Sequence, residues 1–286
     1  LPVTQPEAIL GPLFNAQALE ASVEAIRGHC SEEMRVGLVL GSGWTGVKEQ
    51  VRRPITLPLE SIPHFPRPKV SGHGAELILG QIAGLNVVLL SGRKHLYEGE
   101  GLANVVYPIE VFRRLGVRVI GLFNAAGAAR RRLSIGDLMV IRDHLDSTWH
   151  RYTAPLARLA EDAPNFEAGR SVYDEEFAER LLEIGERERL PLHSGVYAFT
   201  LGPFYESPSE VRCLGRWGCD AIGMSTVPEA VYARLRGMRI FALSGITNMG
   251  TGLAAERHSH ESVKQQAAAL APRATRLLNR FLDSLS

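Results

Sequence analysis

Short apolar runs that stop at glycine and give way to helix-period segments recur along this chain, and that alternation limits the fold more than any other feature. Ala18 to His29 places Leu19, Val23, Ala25 and Ile26 close to one helical face, and Met34 to Leu40 then runs apolar into Gly41-Ser42-Gly43. The reading is helix, buried strand, glycine turn. Leu77-Ile78-Leu79 and Asn86 to Leu90, separated by Gly80 and Gly84, read as a hairpin. A helix near Ala103 to Leu115 and strands at Arg118 to Asn124 and Leu138 to Arg142 follow. Helices at Glu175 to Arg189, Ser209 to Trp217 and Val227 to Arg236 then alternate with strands at Gly195 to Thr200, Ala221 to Gly223 and Arg239 to Ser244, before a last helix from about Ser259 to Leu285. This pattern predicts an α/β fold: a single domain over 1–286, with a mostly parallel mixed central sheet flanked by helices and ligands at the carboxyl ends of strands. Residues 1–16 read as a weakly structured N-terminal extension and 147–170 as a variable loop.

Charge and cysteine usage narrow the function class. The 286 residues carry 32 Lys+Arg against 31 Asp+Glu, a formal charge of +1, which argues against the nucleic-acid backbone as a partner. A small-molecule enzyme fits better. No run approaches the roughly 18 apolar residues of a membrane helix, and the first residues lack the pattern of a secretory signal. Cys30, Cys213 and Cys219 are too few for a disulfide framework and too irregular for a zinc ribbon, so a cytoplasmic protein without a metal is expected.

Several segments carry candidate chemistry. Gly41-Ser42-Gly43-Trp44-Thr45-Gly46 satisfies G-x-G-x-x-G, but the next segment, Val51 to Glu60, holds two prolines where a dinucleotide fold wants a second parallel strand. A turn that cradles a free phosphate needs only the glycines and the Ser42 hydroxyl. In Gly92-Arg93-Lys94-His95-Leu96-Tyr97-Glu98-Gly99, extended chain would send Arg93, His95 and Tyr97 to one side and Glu98 to the other. Arg93 there could grip an anion bidentately. His73 sits between glycines that let backbone approach a ligand. After a strand, Tyr205 and Glu206 offer a stacking ring and a carboxylate, with core packing and a first-turn helix charge as the plainer roles. Ser225 or Thr226 would cap the helix that Pro228 enters, and that helix start could also receive an anion. Thr247-Asn248 follows a strand and can both donate to and accept from a heterocycle. Arg130-Arg131-Arg132 reads as a solvated loop.

Taken together, Gly92-Arg93-x-His95-x-Tyr97-Glu98-Gly99, Asn124-Ala125-Ala126-Gly127, Ile141-Arg142-Asp143-His144, Gly223-Met224-Ser225-Thr226-Val227-Pro228-Glu229, Ile246-Thr247-Asn248 and Ser259-His260-Glu261 resemble the trimeric, low-molecular-weight purine nucleoside phosphorylases. The resemblance implies the nucleoside phosphorylase fold and phosphorolysis of inosine and guanosine, with inorganic phosphate as co-substrate, no cofactor and a homotrimer. It implies a phosphate site of Ser42, His73, Arg93, His95, the Ala125 amide and Ser225. Tyr97, Met224 and His260 would meet the ribose, joined by Phe166 from a neighbouring subunit. Tyr205, Glu206, Thr247 and Asn248 would meet the purine, with Asn248, Glu206 and His95 as the catalytic set.

Two positions and the loop after Arg142-Asp143-His144, which lacks most of the usual pattern, depart from the family. Ala128 stands where the pattern has a second glycine, and Phe204 where it has a small hydroxyl residue, which puts the pocket volume in question. The alternatives are a methylthioinosine or methylthioadenosine phosphorylase and a catalytically weak nucleoside-binding homologue.

Overall fold

The computed structural model describes residues 13–41, 43–68, 75–148, 156, 163, 170–254 and 260–285, with the side chains of Thr45, His260–Ser262 and Lys264 outside that description. Its nine strands are β1 Val36–Leu40, β2 Arg52–Pro58, β3 Glu76–Ile82, β4 Leu85–Ser91, β5 Val119–Ala128, β6 Leu138–Asp146, β7 Leu192–Phe199, β8 Ala221–Gly223 and β9 Arg239–Met249. The α-helices are α1 Ala16–Arg27, α2 Gly101–Arg114, α3 Glu175–Arg187, α4 Pro208–Arg216, α5 Val227–Leu235 and α6 His260–Asp283. Local signals explain several ends. Asn15 caps α1 through Ala18 N–H, Asp174 caps α3 through Phe177 N–H, and Ser207 with Glu210 forms a capping box that starts α4 at Pro208.

The strands form one sheet in the order β2-β3-β4-β1-β5-β8-β7-β6-β9, and β9 returns to pair with β5. The last five strands therefore close into a ring, which strand-by-strand reading does not foresee. Parallel pairings join β1 to β4 and β5, β5 to β9, and β7 to β6 and β8. The expected hairpin is present as antiparallel β3–β4. The proline-bearing segment is a strand after all, β2, but antiparallel to β3 at the sheet's edge, where missing N–H donors are tolerated. It is not the parallel second strand of a dinucleotide fold. Within the stretch read as an N-terminal extension, Phe14 is buried edge-on to Tyr107 and Tyr232.

Apolar side chains cover both faces of the sheet, with Val39, Leu90, Ile120 and Leu122 in one cluster and Leu38, Leu89, Phe123 and Leu243 in another. A buried carboxylate joins α2 to α5. Glu110 accepts from Tyr232 Oη at 2.9 Å and from Arg113 at 2.8 and 2.9 Å. Burial alone would raise the Glu110 pKa, but the Arg113 hydrogen bond and charge, with Arg236 and Tyr232, outweigh it and hold it below the usual 4.5. A depressed folded-state pKa contributes stability that is complete above the unfolded value and is lost as pH falls through the folded one. Glu110→Gln should therefore cost about 3 kcal/mol in urea unfolding at pH 7, and the gap from the parent should narrow progressively as pH falls below about 4. A pH-independent gap would reject this account.

Candidate active site

The carboxyl ends of β1, β4, β5, β8 and β9 open onto one cleft. Arg93, His95, Tyr97, Ala125, Tyr205, Glu206, Met224, Ser225, Thr247 and Asn248 all line it, so ten residues singled out from sequence meet in space. Ser42, His73 and Phe166 lie outside the described residues, as does the His260 side chain. Gly127, Thr251 and Val263 also line the cleft without having been singled out for it. Phe204 does not line it. That ring is 86% exposed and borders an adjoining cavity with Tyr205 and Trp217, while Ala128 is buried within β5. Neither of these two residues lines the cleft.

Thr247 and Asn248 belong to β9 itself, which runs five residues past the expected end at Ser244. Ala126 pairs with Ile246 and Gly127 with Asn248, leaving Thr247 as the extra residue of a bulge. The bulge breaks the in-and-out alternation, so two consecutive side chains reach the same cleft. Thr247 Oγ1 donates to Asn248 Oδ1 at 3.0 Å, while Asn248 Nδ2 donates to Met249 O at 3.3 Å. A Cβ on Gly127 would come within 2.8 Å of Asn248 Nδ2, so the glycine makes room for this amide. Glu206 Oε1 accepts from Thr200 Oγ1 at 2.6 Å, which steadies the carboxylate.

The segment after β4 is not extended throughout. A 3₁₀ turn, Leu96–Glu98, ends at left-handed Gly99 and folds Glu98 back under His95. Glu98 Oε1 accepts from His95 N at 2.7 Å and lies 3.4 Å from His95 Nδ1, and the His95 ring stacks on Tyr97 at 4.8 Å. Glu98 thus packs against His95 rather than on the opposite side, without lining the cleft itself. Its partner Lys94 is also buried, 2.6 Å from Glu100 and donating to Arg67 O at 2.7 Å. Burial, with help from Glu98 and Tyr205, pushes the Tyr97 pKa up to about 12, and burial with Glu206 raises that of Tyr205. Both phenols stay protonated near neutral pH.

Arg93 is held differently from the bidentate grip expected of it. Nη1 donates to Glu229 Oε1 at 2.9 Å and Thr226 Oγ1 at 3.3 Å, and Nη2 to Val39 O at 3.0 Å and to Phe123 O. All four terminal hydrogens are committed to the protein, and the buried Nε has no partner among the described residues. Thr226 takes the N-cap position of α5, but at φ 77° and without a side-chain cap. Its hydroxyl instead accepts from Arg93 and, at 2.8 Å, from Asn124 Nδ2. Among the described residues no group of three or more His, Cys, Asp and Glu could hold a metal ion, and no helix is long and apolar enough to cross a membrane.

Comparison with known proteins gives this arrangement a family. Residues 35–283 match the phosphorylase superfamily. The chain is 36% identical over 249 residues to purine nucleoside phosphorylase 1 of Bacillus subtilis, covering 86% of this chain and 91% of that one. It is 31% identical over 278 residues to the Rattus norvegicus purine nucleoside phosphorylase, covering 95% and 96%. The Schistosoma mansoni purine nucleoside phosphorylase solved with inosine superposes with a TM-score of 0.84 at 32% identity, covering 95% of this chain and 98% of that one. The cleft and its wall are therefore those of an enzyme, and the chain belongs to the purine nucleoside phosphorylases of the phosphorylase superfamily.

Proposed function

We propose that the enzyme splits 6-oxopurine ribonucleosides and 2′-deoxyribonucleosides, such as inosine and guanosine, with inorganic phosphate, giving the free base and the pentose 1-phosphate. The observation that carries this reading is that the Glu206 carboxylate and the Asn248 amide share one cleft with His95, Ser225 and Ala125. A 6-oxopurine offers N1–H to Glu206, whereas adenine offers a bare acceptor, at a cost of about 1–3 kcal/mol or more. Solved Schistosoma relatives are described with inosine, guanosine and adenosine, so all three belong in the substrate panel.

In the proposed reaction a phosphate oxygen forms a bond to C1′ while the C1′–N9 bond breaks, and the bonding pair leaves with the purine. His95, Ser225 and the Ala125 N–H would hold the nucleophile, together with Ser42 and His73. Tyr97, Met224, His260 and a neighbour's Phe166 would surround the ribose. Tyr205 would pack on the base, and Asn248, braced by Thr247, would hydrogen-bond N7 as negative charge develops on the ring. Arg93 would act through its charge and its Nε–H. No resident cofactor enters this scheme.

We further propose a homotrimer in a reducing, cytoplasmic setting. Phe204, Tyr205 and Trp217 expose aromatic surface around the cavity beside the cleft, where a second copy could both cover them and complete the ribose pocket. All three cysteines are free.

Phosphate-dependent release of hypoxanthine from inosine tests the activity, and no release under excess phosphate would refute it. Asn248→Ala should lower kcat/KM about a hundredfold, the kinetic equivalent of about 3 kcal/mol. Gly127→Ala, whose new methyl group pushes on the same amide, should lower kcat/KM about tenfold with little change in the KM for phosphate. Unaltered turnover in Asn248→Ala would remove Asn248 from the mechanism, and in Gly127→Ala it would reject the spacing role of the glycine. Light scattering should give three times the 31.3 kDa chain mass, and a monomer would reject the shared ribose pocket.

A further inference from the structure

Thr226 contributes no atom to the cleft wall, yet its neighbourhood is unusual. A β-branched residue at φ 77° is a rare backbone state, and it sits at the turn between Ser225, which lines the cleft, and α5. Three side chains from separate parts of the fold converge on this turn. Asn124 Nδ2 and Arg93 Nη1 donate to Thr226 Oγ1 at 2.8 and 3.3 Å, and Tyr197 Oη accepts from Ser225 N–H at 3.4 Å. Thr226 Oγ1 also lies 3.3 Å from Ser225 Oγ.

Hydrogen-bond direction follows from this inventory. A hydroxyl has two acceptor lone pairs and one proton. Arg93 can only donate, and Asn124 donates through its amide nitrogen, so both lone pairs of Thr226 Oγ1 are occupied. Its proton goes to Ser225 Oγ, which also meets the Tyr197 hydroxyl; Tyr197, kept protonated by burial, can give its own proton to the second Ser225 lone pair, which leaves the Ser225 proton for the cleft. We propose that Thr226 is a positioning residue for the phosphate subsite: its hydroxyl orders the Ser225 hydroxyl as a donor into the cleft and holds the left-handed turn that presents it. This rests on the phosphate role proposed above for Ser225.

The test is calorimetric titration with inorganic phosphate, alongside steady-state kinetics, on Thr226→Val, Thr226→Gly and Thr226→Ser. Valine keeps the shape and loses the hydroxyl, glycine removes the hydroxyl from a turn that suits its backbone, and serine retains the hydroxyl. Valine and glycine should each weaken phosphate binding about tenfold while the nucleoside KM stays within about twofold, and serine should restore affinity to within about twofold. In a Ser225→Ala background, Thr226→Val should add less than about twofold, because the ordered donor is already gone. Wild-type phosphate affinity in the glycine variant, equal loss with serine and valine, or an undiminished valine effect without Ser225 would each overturn the proposal. Calorimetry reads the subsite without turnover. Failure of the parent enzyme to release hypoxanthine would therefore count against the reaction, and not against this positioning role.

Discussion

The buried ion pair of Arg93 and Glu229 is the interaction on which the site depends. Both side chains are almost wholly buried, and two charges in a poorly polarisable interior are tolerable only when hydrogen bonds surround them. Arg93 meets that condition by spending its terminal hydrogens on Val39 O, Phe123 O, Thr226 Oγ1 and Glu229. Those partners belong to β1, β5 and the start of α5. One guanidinium thus ties the end of β1, the middle of β5 and a helix start together beneath the cleft. Removing either charge would strand the other, at a cost of about 3–5 kcal/mol. Thr226 adds a left-handed residue to the same knot, a local strain of about 1–3 kcal/mol that persists only because its surroundings over-determine it.

A second constraint comes from the ring closure of the sheet. β6 holds β9 as far as Gly245, and β5 pairs with it out to Met249, so the carboxyl end of β9 is fixed beside the cleft. A regular strand there would turn one of Thr247 and Asn248 outward. The bulge between Ala126 and Gly127 admits both, and the absence of a side chain on Gly127 leaves the space Asn248 needs. The orientation of the amide therefore follows from backbone register as much as from the asparagine itself.

This explains what the sequence could and could not disclose. The order of helices and strands was legible because glycines and apolar periodicity mark it locally, and Arg93, His95, Tyr205, Glu206, Ser225 and Asn248 stood out because polar groups cluster at strand ends. Ring closure, the bulge and the strand character of Arg52–Pro58 depend on pairings between distant segments, which a local pattern does not encode. The partners of Arg93 and Glu98 escape a local reading for a related reason. Extended geometry places Glu98 away from His95, but left-handed Gly99 closes a turn that brings it underneath. Arg93 reads as a free cation until Glu229, 136 residues later, arrives beside it.

The pairing of Arg93 also bears on the strength with which an anion can be held. A site built on an uncompensated guanidinium would bind phosphate and a sugar phosphate product tightly alike, and tight uniform binding does not speed a reaction. Here Glu229 offsets the nearest full positive charge, so the proposed phosphate contacts fall mainly to neutral donors such as the Ala125 N–H and Ser225 Oγ, with His95 beside them. Directional donors reward an oxygen in one position and lose strength when it moves, whereas a bare charge attracts over a wider range. On the proposed reaction this favours a phosphate aligned for attack over one merely captured, and it eases departure of the product once the new C1′–O bond has shifted those oxygens. The chain's near balance of 32 basic and 31 acidic side chains has a local counterpart in this pair.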